Sequence, residues 1–106
     1  MSDLFIQSSA LISSCQKYRY WLRRVWDDTQ GELVWCGLNP SKAAAERSDP
    51  TINKIIKFSQ RFGYGSMMML NAHAFRSTDP KALKKMMSLE SIGPENDRWI
   101  IQLVHE

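Results

Sequence analysis

Leu33-Val34-Trp35-Cys36-Gly37-Leu38, then Asp49-Pro50 and the stretch to Phe62, then Met67-Met68-Met69-Leu70 follow one another in mid-chain, and their order decides the fold. The first and third are short, largely apolar runs, the pattern of strands buried on both faces. Between them, Asp49 is suited to accept the free amides of a first helical turn, and Pro50 at the first helical position forfeits no hydrogen bond. Ile52, Ile55, Ile56 and Phe62 then recur at helical spacing as a buried stripe, with Lys54, Lys57 and Arg61 on the other side and Gly63 as a left-handed stop. Strand, crossover helix and strand in this order make a right-handed unit with parallel strands.

Parallel strands end on the same edge of the sheet. Asn39 follows the first strand and Asn71 the second, so both are expected where open α/β sheets bind ligands. An asparagine amide offers two donors and an acceptor without charge, which suits the edge of an amide-like or base-like group. The alternative is that each asparagine caps a turn by bonding its own backbone. Ser41, Lys42, His73, Arg76 and Asp79 lie around them in sequence. His73 has the chemistry of a general acid or base, though a loop histidine is also an ordinary surface residue. Arg76 is either a clamp for phosphate or carboxylate or the ion-pair partner of Asp79. Ser41 has no base nearby in sequence to activate it.

Upstream, Lys17 to Trp26 alternates, with Tyr18, Tyr20, Leu22 and Trp26 on one parity, Arg19, Trp21, Arg23 and Val25 on the other, and Arg24 breaking the first face. Across the turn-rich Asp27 to Gly31, this segment is predicted to pair with Leu33 to Leu38 as a hairpin, with Leu11 and Ile12 in a preceding edge strand. Arg19, Arg23 and Arg24 among aromatic residues resemble a surface for single-stranded nucleic acid; the same aromatics would equally serve a small core. Downstream, Asp79-Pro80 opens a second helix to about Met87, and a third begins near Pro94. The third carries Ile100, Leu103 and Val104, an apolar face for a homodimer or protein partner. The expected fold is therefore one small three-layer α/β domain over residues 1–106, with a mixed sheet and an N-terminal hairpin feeding the parallel unit.

Composition narrows the class. The chain of 106 residues is 43% hydrophobic and 24% charged, within the globular range. No stretch approaches the roughly 20 apolar residues of a membrane span, and no signal peptide is legible, so a cytoplasmic location without membrane association is expected. Cys15 and Cys36 lack the spacing of zinc or redox sites and read as buried free thiols. Neither a metal nor a cofactor is expected, since there is no phosphate-binding glycine loop and the methionines suit adaptable packing. Fourteen basic against eleven acidic residues, a formal charge of +3, permit a polyanionic partner without requiring one.

Tyr18 to Trp21, Gly37-Leu38-Asn39-Pro40-Ser41, Asp49-Pro50-Thr51, Gly63-Tyr64-Gly65, Asn71 through Arg76-Ser77-Thr78-Asp79-Pro80, and Ile92-Gly93-Pro94-Glu95-Asn96-Asp97 resemble, in order and spacing, a bacterial and phage family known as domain of unknown function 1643. The chain is similar to the front portion of that family, whose members usually continue into further sheet. Gly37-Leu38-Asn39-Pro40 also resembles the water-positioning loop of the uracil-DNA glycosylase superfamily, and Met67 to Ala72 its base-reading strand end. This second resemblance implies that Asn39 holds a hydrolytic water and Asn71 reads a flipped base. It lacks the later His-Pro-Ser motif, because neither His73 nor His105 precedes a proline. The expected function is a nucleobase- or nucleic-acid-binding domain, with weak N-glycosidic hydrolysis as its reaction if active. Asn39 and His73 would be catalytic, Asn71, Ser41, Arg76 and Asp79 ligand-binding, and Arg19, Arg23, Arg24 and Lys42 nucleic-acid contacts. The alternative is a non-catalytic phage or prophage protein that binds a host protein through its C-terminal helix and aromatic, basic hairpin.

Overall fold

The computed structural model describes residues 5–41, 43–77 and 91–104. Among these, strands β1 (Gln7–Ile12), β2 (Arg19–Val25), β3 (Glu32–Gly37) and β4 (Ser66–Asn71) form one mixed sheet in the order β1-β2-β4-β3. β3 and β4 are parallel, and β2 is antiparallel to both β1 and β4. Helix α1 (Pro50–Arg61) crosses from β3 to β4 on one face, as the central sequence pattern predicts. Helix α2 (Asn96–Val104) lies on the other, where Trp99 and Leu103 share a cleft of about 300 Å³ with Trp21, Arg23 and Met68. No helix among the described residues is long and apolar enough to cross a membrane.

The predicted pairing of the second and third strands does not form: β4 lies between them, and β2 makes its hairpin with β1. Burial explains the insertion. Every residue of β4 is buried, so that strand needs neighbours on both sides as well as cover on both faces. β3 exposes Val34 and Cys36 and is an edge strand, not the doubly buried one that its apolar run suggested. Cys36 and Cys15 are accordingly exposed thiols rather than buried ones.

α1 begins and ends as its sequence dictates. Asp49 Oδ1 accepts from Ile52 N at 2.9 Å, and Pro50 occupies the first turn. At the other end Gly63, at φ +87°, lets Tyr64 N reach Ser59 O at 3.0 Å while Gly63 N reaches Gln60 O, which satisfies two carbonyls of the last turn. Ile52, Ile55 and Ile56 pack with Leu22, Ala43, Met67 and Met69 to form the core. Phe62 does not join them; it lies past the last helical turn and is 61% exposed. The buried position there belongs to Ser59, whose hydroxyl donates to Ile55 O and accepts from Trp35 Nε1. The helix predicted from Asp79-Pro80 to about Met87 falls outside the described residues.

Strict alternation fails at one point in β2. Leu11 pairs with Trp21 but Ile12 pairs with Arg19, so Tyr20 is an extra residue, a bulge that re-aims what precedes it. Arg19 then reaches the same side of the sheet as Arg24, although parity assigns them to opposite faces. Both guanidinium groups end on carbonyls of the segment between β3 and α1.

Candidate functional site

The two strand ends are joined by main-chain bonds. Gly37 and Asn71 are register partners, Ala72 N donates to Gly37 O, and His73 N donates to Leu38 O, each at 2.9 Å. Further out, Ser77 N donates to Pro40 O while Asn39 Nδ2 donates to Ser77 O, both at 2.9 Å. Asn39 Nδ2 also donates to Pro40 O at 3.2 Å. The asparagine loops therefore meet on one edge, as parallel strands require. Both amide hydrogens of Asn39 brace this junction, and its Oδ1 remains to accept.

Asn71 lies deeper, with 1% exposure. Its Oδ1 accepts from the Arg19 guanidinium at 3.4 Å, while its Nδ2 is buried without a partner. Gly37 makes room for this side chain: a Cβ there would stand 2.9 Å from Asn71 Nδ2 and 2.7 Å from the Met69 methyl carbon. Arg19 also donates to Ala43 O at 3.0 Å, and its Nε has no partner. Burial pulls the Arg19 pKa down to about 10, opposed by the Asp49 carboxylate, which leaves the group charged at neutral pH.

Arg19 and Arg24 are 2% and 1% exposed, so neither is the surface nucleic-acid contact that their setting among aromatics suggested. Arg24 donates to Ala44 O, Arg47 O, Ser48 Oγ and Arg23 O, stapling the loop between β3 and α1 onto the sheet. Its pKa too is lowered by burial, against an opposing pull from Asp49. Arg23 sits on the opposite face in an ion pair with Glu32. The one sequence signal for a buried role was Arg24 breaking an apolar parity.

His73 Nδ1 shares a hydrogen bond with Ser91 Oγ at 2.7 Å, which fixes the ring. Arg76 is held to the loop before β2, its N donating to Lys17 O and its guanidinium to Gln16 O. Ser41 is half-buried beside the Asn39 loop. Lys42 and Asp79 lie outside the described residues, so the predicted Arg76–Asp79 pair does too.

Sequence reasoning missed Asn96. Fully buried at the start of α2, it donates from Nδ2 to Asn71 O at 2.8 Å and to Ala72 O at 3.1 Å. It thus holds the end of β4 from below. An asparagine between Glu95 and Asp97 carries no local signal of burial, because only tertiary packing brings it to the sheet. Asn96→Ala is expected to strand two carbonyls and lower stability by about 2 kcal/mol, read as a reduced urea midpoint with unchanged slope. An unchanged midpoint would mean that the bonds contribute nothing net.

No curated protein and no solved structure matches the chain. The sequence profile of one family, described as a protein of unknown function (DUF1643), matches residues 19–106, which spans β2, the asparagine loops and α2. With most of its length matched, including both strand ends and the asparagine beneath them, the chain belongs to the DUF1643 family.

Proposed function

We propose that this chain binds a nucleobase, free or within nucleic acid, at the edge where β3 and β4 end, in a manner resembling uracil-DNA glycosylases. The observation that carries the reading is the convergence of Asn39 and Asn71 on one edge, with Asn71 Nδ2 and Arg19 Nε both lacking partners. In this reading Asn71 Nδ2 donates to a base carbonyl while Arg19 holds the other side of the amide, fixing which way it faces. Because Asn71 is buried, a base reaches it only if the structure around it opens.

Hydrolysis is the reaction that would accompany binding. Asn39 Oδ1 would hold a water whose oxygen bonds to the sugar carbon as the carbon–nitrogen bond breaks and its electron pair leaves with the base. His73 is the nearest candidate in sequence to exchange the proton. A second reading, a phage or prophage protein that occupies a host partner, is favoured by Ile101 and Val104, which are exposed on the outward side of α2. Ile100 and Leu103 are half-buried and supply less of that surface.

The test is a titration, at two salt concentrations, with uracil-containing, mismatched and ordinary single- and double-stranded DNA, scoring binding and base release. Asn71→Ala is expected to weaken binding by about tenfold or more, the worth of a well-placed base contact, in protein that keeps its far-UV spectrum. Released base adds hydrolysis to binding. An absence of binding to every substrate would overturn the reading and leave the protein-partner alternative.

A further inference from the structure

The outward side of α1 is built from two rows. Lys54, Lys57 and Arg61, all exposed, recur at helical spacing opposite the buried Ile52, Ile55 and Ile56. Beside them Phe58 and Phe62 are 45% and 61% exposed. Their rings stack with centroids 6.5 Å apart, and the Arg61 guanidinium lies 5.8 Å from the centre of the Phe58 ring. No aspartate or glutamate occurs from Pro50 to Gly65. The nearest carboxylate in sequence, Asp49, is engaged by Ile52 N and Ala43 N. Among the described residues none of the three cations has an ion-pair partner.

The fold gains little from either row. Like charges three and four positions apart repel one another along a helix, and the core of Ile52, Ile55 and Ile56 is complete without the exposed phenylalanines. Burying three cations without counter-charges is too costly to occur, so their row faces solvent or an anion. We infer that the outward side of α1 binds single-stranded nucleic acid, with phosphates on the cation row and bases stacked on Phe58 and Phe62. Aromatic rings beside a basic track suit an unpaired strand, whereas a duplex keeps its base faces inside. From Lys54 to Arg61 the row runs about 10 Å along the helix, the length of a few nucleotides. The inference extends the base-binding reading from a base to a strand, but it uses neither asparagine loop, so the two can fail separately.

The experiment is fluorescence anisotropy with a short labelled deoxyadenosine oligonucleotide across a salt series, since adenine has no carbonyl for the Asn71 donor. Wild-type affinity is expected to fall with salt, and Lys57→Gln to flatten the log-log slope by about 0.7, the share of one phosphate contact on a single strand. Replacing Lys54, Lys57 and Arg61 together by Gln should flatten it by about 2. Phe62→Ala is expected to weaken binding about fivefold or more at an unchanged slope, as loss of one stacked base does. Arg98→Gln, which removes an exposed cation on α2 across the sheet, and Asn71→Ala should leave affinity and slope unchanged. Free uracil, weakened by Asn71→Ala and indifferent to Lys57→Gln, reports the sheet edge separately. No binding at low salt, a loss shared equally by Arg98→Gln, a Phe62→Ala variant that binds as wild type does, or inorganic polyphosphate or anionic vesicles bound as tightly as the strand would each overturn the inference.

Discussion

Gly65→Ala is expected to lower stability by about 4 kcal/mol, the largest effect among the glycines of this chain. A Cβ at Gly65 would stand 1.9 Å from the carbonyl oxygen of Asp27 and 2.8 Å from Gln30 Cβ. The first neighbour is backbone, which no rotamer change removes. Nor is the backbone able to retreat readily, because Gly65 O accepts from Trp26 N and Asp27 N, and Gly65 N donates to Gly31 O at 2.8 Å. The residue therefore locks the turn after β2 against the start of β4, at the point where the chain enters its central strand. For a domain of this size, the loss corresponds to about 15–25 °C in melting temperature. Gly63→Ala is the control. Its φ of +87° disfavours a side chain, but its surroundings are open, so about 1 kcal/mol is expected. Equal effects at the two glycines in thermal melts would mean that Asp27 does not approach Gly65 as closely as the structure shows.

Arg24→Ala is the second large effect, about 3 kcal/mol or more. The guanidinium is buried and holds Ala44 O, Arg47 O and Ser48 Oγ, so its removal releases the loop between β3 and α1 and leaves a cavity beside Met67, its register partner on β4. A buried cation carries a desolvation cost of its own, which lowers its pKa here, and its removal returns part of what the lost bonds take away. Arg24→Met separates these contributions, since it fills the volume but supplies no donors. Chemical denaturation should therefore order stability as wild type, then Arg24→Met, then Arg24→Ala. Arg24→Met at or above wild type would show that the burial cost of the charge exceeds the worth of its bonds.

The loop that Arg24 secures matters for function because it leads from Asn39 to Asp49. Asp49 Oδ2 accepts from Ala43 N, so the helix cap and the loop share one carboxylate. Loosening either end should loosen the Asn39 side of the proposed base site.

Local patterns made the central unit legible. Asp49-Pro50 marked the start of α1 and Gly63 its end, because caps are determined by residues within a few positions of one another. The apolar runs marked β3 and β4, and the handedness of strand, helix and strand made them parallel, which sufficed to bring Asn39 and Asn71 to one edge. The strand order was not legible. An apolar run shows that a strand is buried without naming its neighbours, and the insertion of β4 between β2 and β3 follows from which strand most needs cover on every side. The inward turn of Arg19 depended on a single extra residue in β2, which alternation cannot reveal because the register is set by the opposite strand. Asn96 was beyond reach for the same reason. By itself the sequence determined the central strand-helix-strand unit, the caps of α1 and the shared edge; only the tertiary structure decided which polar side chains were buried beneath that edge, since burial depends on partners distant in the chain.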